Sequence, residues 1–222
     1  MEHSIRENPF DAHADRYDQW FESPRGRAIF ALEAAALREL LGPKKGRWLE
    51  VGVGSGRFAV ALGVEEGVDP SPAALAYAAR RGVRTRLGRA EALPWPEAVF
   101  DGALMVVTIC FVEDPSKALA ECRRVLRPGG RLLTGLVPAD SPWGRLYAQK
   151  ARQGHLFYTP AKFYTCEQVA RLAEAEGLAF RDARSALLAP PEAPEIDPSL
   201  RAGVVPGAGF VAMEFVKPGE GG

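Results

Sequence analysis

The stretch Trp48-Leu49-Glu50-Val51-Gly52-Val53-Gly54-Ser55-Gly56-Arg57-Phe58 constrains this chain more than any other. A short apolar run meets an acidic residue, then breaks into alternating glycines before a helix-like segment that reaches Leu62. Glycine adopts the positive φ of a sharp turn and leaves no Cβ between the backbone and whatever approaches it. The segment that follows is expected to point its free N–H groups and positive dipole end back at the turn. Such a turn suits an electron-rich ligand held against bare backbone. It is not a dinucleotide fingerprint, because in G-x-G-x-x-G counted from Gly52 the third glycine is replaced by Arg57. The carboxylate of Glu50 at the strand end would repel a pyrophosphate and suits a ligand that carries an ammonium group.

The chain around this turn alternates. Apolar residues at helical spacing (Ile29, Leu32, Ala36, Leu37, Leu40, Leu41) predict a helix over 25–41, closed by Gly42-Pro43. Strands are expected over 47–51, 66–69, 84–87, 100–107 and 131–137. The helices between them include 72–81, capped by Ser71 and stopped by Gly82, and 115–126, capped by Asp114. Strict βα alternation with apolar strands implies a doubly wound parallel sheet whose strands are buried on both faces. Residues 142–159 read as irregular, and Thr165-Cys166-Glu167-Gln168 as a capping box whose helix ends at Gly177. Strands over 180–188 and 210–216, joined by the proline-rich stretch 189–206 with no helix, suggest an antiparallel hairpin on one sheet edge. Residues 1–24 are polar with interspersed Phe10, Tyr17, Trp20 and Phe21, which reads as a cap or lid. The expected organisation is one structural domain: a helical lid and packing helix over 1–41 and an α/β body over 42–222.

Equal numbers of basic and acidic residues, 28 each, argue against a dedicated nucleic-acid or anionic-membrane surface. Three widely spaced cysteines (Cys110, Cys122, Cys166) form no C-x-x-C pair and fit a reducing compartment. There is no basic-then-apolar opening, and the apolar run over 103–112 is far shorter than the ~20 residues of a spanning helix. A cytoplasmic protein with no membrane span and a small-molecule partner is expected; the oligomeric state is left open.

Further motifs follow in register with the glycine turn: Asp69 in Gly67-Val68-Asp69-Pro70-Ser71, the stretch Gly88-Arg89-Ala90-Glu91, Phe100-Asp101, and Leu126-Arg127-Pro128-Gly129-Gly130-Arg131-Leu132. Together with Glu50-x-Gly52-x-Gly54-x-Gly56, this pattern resembles the class I S-adenosylmethionine (SAM)-dependent methyltransferases. Within them it resembles the broad small-molecule group that includes quinone-biosynthesis C-methyltransferases. The resemblance implies an α/β, doubly wound, mostly parallel seven-stranded sheet with an antiparallel last strand, and SAM as cofactor with S-adenosylhomocysteine (SAH) as product. It further implies that Glu50 faces the methionine end of SAM, that Gly52, Gly54 and Gly56 form the loop, and that Asp69 with Pro70 holds the ribose. By the same resemblance Ala90 and Glu91 read the adenine, and Tyr17 is a lid tyrosine. Each also has a structural reading: Glu50 and Asp69 as helix caps, Glu91 as a surface carboxylate, Tyr17 as packing.

Methyl transfer from a sulfonium needs alignment and exclusion of water more than a dedicated catalytic side chain. Thr108 and Cys110 lie just past the fourth strand, at the carboxyl edge where such folds place their sites. Thr108 is expected beside the cofactor, and Cys110, His155 and Tyr158 beside the substrate. His155 is the candidate general base, although a lone loop histidine is more often solvated. No metal is expected. Val107-Thr108-Ile109-Cys110 stands where nucleic-acid and protein amino-methylating enzymes carry a D/N-P-P-Y-like run. The alternatives are a SAM-binding protein without turnover and a nicotinamide-dependent oxidoreductase.

Overall fold

A computed structural model of the chain describes residues 8–219. Residues 1–7 of the expected lid and 220–222 of the expected α/β body lie outside the described residues. One sheet of eight strands runs in the order β3-β2-β1-β4-β5-β8-β6-β7. The strands are β1 (Trp48–Val51), β2 (Glu66–Asp69), β3 (Arg84–Leu87), β4 (Phe100–Val106), β5 (Leu126–Leu136), β6 (Ala179–Ala186), β7 (Arg201–Ala202) and β8 (Phe210–Val216). β1 to β5 pair in parallel, whereas β8 is antiparallel to both β5 and β6.

Alternation along the strands divides the core between two faces. Trp48, Leu104, Val106 and Leu133 pack with α3 (Pro24–Leu41), α4 (Arg57–Leu62) and α5 (Pro72–Arg80). Leu49, Val51, Ala103 and Met105 pack with α6 (Pro115–Val125) and α8 (Cys166–Ala175). The doubly wound architecture read from the alternation is therefore present.

Two details differ from the sequence reading. The sheet has eight strands and not seven, because the two-residue β7 inside the proline-rich stretch adds to β6 at the outer edge. The antiparallel pair expected on one sheet edge is present as β6 and β8, with β8 between β5 and β6, which buries Phe210 to Phe215 completely or nearly so. Its one charge, Glu214, is met there by Arg131 from β5 at 2.5 Å. β3 is not buried on both faces: it is the exposed edge, and its arginines Arg84 and Arg86 discourage pairing with another chain.

Helix starts follow one local rule. Ser23-Pro24, Ser71-Pro72 and Asp114-Pro115 each place an oxygen on the N–H three residues on, with proline at the first helical position. Ser141-Pro142 does the same, so 142–159 is not wholly irregular: α7 spans Pro142–Arg152. The capping box at Thr165 and Gln168 is formed as read.

Two short N-terminal helices, α1 (Pro9–Ala12) and α2 (Ala14–Trp20), lie over the carboxyl edge of the sheet and are tied to the body by charge. Asp11 accepts from Ser71 Oγ at 2.7 Å and from Ala73 N–H at 3.0 Å. Asp18 bridges Arg57 and Arg81 at 2.8 Å each, and Arg57 also reaches Glu22 at 2.6 Å. Arg57, the residue that breaks the dinucleotide pattern, is thus the anchor of the lid. Burial opposes the charge on Asp18, but hydrogen bonds from Arg57, Arg81 and Ser55 outweigh it and hold the carboxyl well below the usual range. A depressed folded-state value means the anchor contributes fully above the ordinary carboxylate range and is lost as pH falls below it.

Asp18→Ala leaves two facing guanidiniums without their shared counter-charge. It is expected to weaken lid docking by about 3 kcal/mol, the lower end for an orphaned buried charge. Limited proteolysis should then cut within residues 8–23 while the thermal midpoint of the body holds; unchanged protection would contradict the anchor.

Candidate active site

The glycine turn links β1 to α4 at the carboxyl edge of the sheet. Gly52 has a φ of +72°, and a Cβ there would stand 2.3 Å from Thr108 Oγ1, so the turn and the end of β4 approach too closely for any other residue. Gly54 has a φ of +51°, but a Cβ there would meet nothing within 4 Å. The space it faces is a cleft of about 1010 Å³.

Of the residues expected at the cofactor, Tyr17, Gly52, Gly54, Asp69, Pro70, Ala90, Glu91 and Thr108 line this cleft together. Glu50 and Gly56 do not. Gly56 packs against Ala78 of α5, where a Cβ would sit 2.9 Å from backbone. Glu50 lies beneath the turn, 1 % exposed, with the Ala59 N–H on its carboxyl and its Oε2 without a partner among the described residues. Burial pushes its carboxyl well above the usual range. Its burial follows from β1, which is buried along its whole length inside the sheet.

Asp69 stands at the end of β2. Its Oδ2 accepts from Gly54 N–H and its Oδ1 from Ser71 N–H, both at 2.9 Å. Burial raises its pKa, and those two N–H groups partly offset the shift. Each oxygen keeps a lone pair for a further donor. The carboxylate of Glu91 accepts from Glu113 N–H at 2.8 Å, so it fixes the segment before α6 as well as lining the cleft. Thr108 Oγ1 donates to Val106 O at 3.0 Å.

A second cavity of about 380 Å³ adjoins the cleft beneath the lid. Phe10, Tyr17, Val107 and Phe111 line both spaces and form their common wall. Val107 directly follows β4 with a φ of +49°, a conformation that costs a β-branched residue on the order of 1–3 kcal/mol. Cys110, His155 and Tyr158, expected beside the substrate, all line this cavity. Burial pushes the Cys110 thiol up to about 12, so it is a small apolar wall and not a thiolate. Burial, then Lys150 and Arg16, hold His155 below its ordinary value, so the ring is neutral at pH 7. Its Nδ1 accepts from Phe157 N–H at 3.3 Å, which assigns the ring proton to Nε2. That tautomer leaves an Nε2–H donor free of a partner in the chain's own hydrogen bonds among the described residues. The ring stacks on Tyr158 at 4.4 Å, and Tyr158 stacks on Tyr147 at 4.4 Å.

Trp143, Tyr147 and Phe157 complete the walls, and Glu33 from α3 is the one acidic side chain in the lining. Trp143, Tyr147 and Phe157 fall in 143–164, the segment expected to close over the site, although its helical part was read as irregular. Glu33 escaped the sequence reading but left a legible trace, since it stands four residues from both Ile29 and Leu37 in the apolar stripe of α3. It is 7 % exposed, and among the described residues no hydrogen-bond donor or cation is paired with it. Burial pushes its carboxyl up to about 8. Burial, with Glu33 adding to it, likewise raises the phenols of Tyr17, Tyr147 and Tyr158. Among the described residues no group of three His, Cys, Asp or Glu side chains is placed to hold a metal, and no helix is long and apolar enough to cross a membrane.

A family model described as a methyltransferase domain matches residues 49–134. An uncharacterized protein of Mycobacterium tuberculosis is 43 % identical over 204 residues, covering 91 % of this chain and 72 % of that protein. A crystal structure from Thermotoga maritima, described as a SAM-dependent methyltransferase and possible histamine N-methyltransferase, is 38 % identical with a TM-score of 0.86. The match covers 94 % of this chain and 98 % of that one.

The raised value of Glu33 has a sign that can be measured. An acid whose folded-state pKa lies above its unfolded value stabilises least at high pH: the folded state gives up stability as pH rises from about 4.5 through about 8. Glu33→Gln removes this term. The variant should match wild type near the lower limit and exceed it above the upper one, by at most ~5 kcal/mol. Urea unfolding across that range checks it; parallel curves would contradict a buried, unpaired carboxyl.

Proposed function

Because the chain belongs to the SAM-dependent methyltransferase family, we propose that it transfers a methyl group to a small molecule by direct in-line displacement. The observation that carries this reading is the pair of adjoining spaces: an open cleft on the glycine turn and a smaller, aromatic cavity behind a shared wall. A cavity of about 380 Å³ under a lid suits a compact acceptor and has no room for a segment of folded macromolecule. A formal net charge of zero points the same way. The three buried free cysteines accord with a reducing, cytoplasmic compartment.

The residues present fit the cofactor. Gly54 faces open space that a side chain would fill, Asp69 keeps lone pairs suited to a vicinal diol, and Glu50, just before the turn, has an Oε2 without a partner among the described residues. Gly52, Gly54, Asp69 and Pro70 would hold it, with Ala90, Glu91 and Thr108 along the cleft and Tyr17 closing from the lid. When bound, the cofactor supplies a sulfonium methyl group and its own leaving group. The chain contributes alignment and dryness: the lid anchored by Asp18 and the rings of Phe10, Tyr17 and Phe111 keep water from the boundary between the two spaces. Cys110, His155 and Tyr158 serve as acceptor-side walls. The Thermotoga maritima relative is described with a small-molecule activity, which accords with this reading, and neither relative is described as a quinone-biosynthesis enzyme.

Calorimetric titration tests the reading. SAM and SAH should bind in the micromolar range, and NAD should not. Asp69→Ala should weaken SAH by roughly 2–3 kcal/mol, the scale of a charge-assisted contact. Binding of NAD alone, or unchanged affinity in the variant, would contradict it.

A further inference from the structure

We propose that the aromatic cavity is built for a small organic cation, and that the carboxylate of Glu33 receives its ammonium group. That this cation is the methyl acceptor rests on the methyltransferase reading; the recognition itself does not.

Glu33 occupies a position at which α3 otherwise presents apolar residues, with Ile29 one turn before it and Leu37 one turn after, both buried. An unpaired carboxylate in such a place costs several kcal/mol, and proteins keep one only with a partner or in its neutral form. The chain supplies no partner among the described residues. What surrounds the cavity instead is aromatic: Tyr17, Phe21, Phe58, Trp143, Tyr147 and Tyr158. Ring faces with a single carboxylate attract an ammonium group from all sides, the rings through their quadrupoles and the acid through its charge. A neutral polar ligand would use only the acid.

The cations nearby are committed elsewhere or lie at the rim. Arg25, from the start of α3, stacks over Trp143 at 5.5 Å and donates to Pro191 O at 2.5 Å. Lys150 of α7 lies 5.9 Å from the Tyr147 ring centre, Arg16 of α2 is exposed, and His155 is uncharged at neutral pH. The remaining titratable groups facing Glu33 are the phenols of Tyr17 on α2, Tyr147 on α7 and Tyr158 after it, and the Cys110 thiol, all neutral in this range. At neutral pH the free cavity therefore holds Glu33 as the acid. An entering ammonium takes the place of its proton: the O–H bond breaks, the carboxylate pairs with the cation, and one proton leaves to solvent.

The proton release makes the test specific. 2-Phenylethylamine and the uncharged 2-phenylethanol are titrated calorimetrically into the whole protein, with and without SAH, in two buffers of different ionisation enthalpy. The amine should bind about tenfold more tightly than the alcohol, the scale of one charge-assisted contact, and release close to one proton. Its affinity should rise between about pH 6.5 and 8.5, across the titration of Glu33. In Glu33→Gln, with its thermal midpoint retained or raised, both the preference and the release should vanish. Equal affinities in wild type, absence of proton release, or a preference that survives Glu33→Gln would each overturn the proposal. Amine preference without SAH binding would leave the cation site standing and remove the methyl-transfer reading; SAH binding without amine preference would do the reverse.

Discussion

The bridge that Asp18 makes between Arg57 and Arg81 turns an open sheet edge into two enclosed spaces. Apart from it, α1 and α2 are held by the two hydrogen bonds of Asp11 and by little buried surface, since α1 buries no residue and α2 buries only Ala14 and Asp18. With it, Phe10 and Tyr17 are brought against Phe111 and Phe157, ring centres 4.8 to 5.4 Å apart, and these contacts form the wall between cleft and cavity. The anchor is charge held in place by the body, and the packing is its consequence. Arg57 begins α4 directly after the glycine turn, so the element that shapes the cleft also fastens its cover.

The carboxyl groups around the site divide by partner. Asp18 has two guanidiniums and is held ionised; Asp69 has two backbone N–H groups and an intermediate burden of burial. Glu50 and Glu33 have too little compensation for their burial and are driven toward the neutral acid. The strained φ of Val107 falls at the boundary of the two spaces. Unpaired buried acids and a left-handed β-branched residue all cost stability, and their collection at one edge of an otherwise regular sheet marks where the fold departs from what packing alone would favour.

What the sequence made legible was local. The glycine turn, the acid at the end of β2 and the helix caps are each dictated by backbone geometry over a few residues, and each stands where it was read. α7 was equally local, since Ser141-Pro142 repeats the start signal of three other helices, but the irregular run after it obscured the signal. Long-range pairing was not legible. The insertion of β8 between β5 and β6 depends on partners some 80 residues apart in sequence, Arg131 and Glu214 among them. Arg57 could be recognised as a missing glycine, yet its role required Asp18, 39 residues earlier. Glu50 was legible as an acid beside the loop, but its burial and its unpartnered Oε2 follow from the packing of β1 inside the sheet. Glu33 appeared only as a break in the stripe of α3, without the cavity that gives the break a meaning.

A crystal structure of the protein with SAH tests most directly whether the cleft and the cavity are two halves of one site meeting at Tyr17, Val107 and Phe111. SAH is expected along the glycine turn, its ribose hydroxyls on Asp69 and its sulfur facing the common wall. SAH bound elsewhere, or with its sulfur turned away from the aromatic cavity, would contradict it.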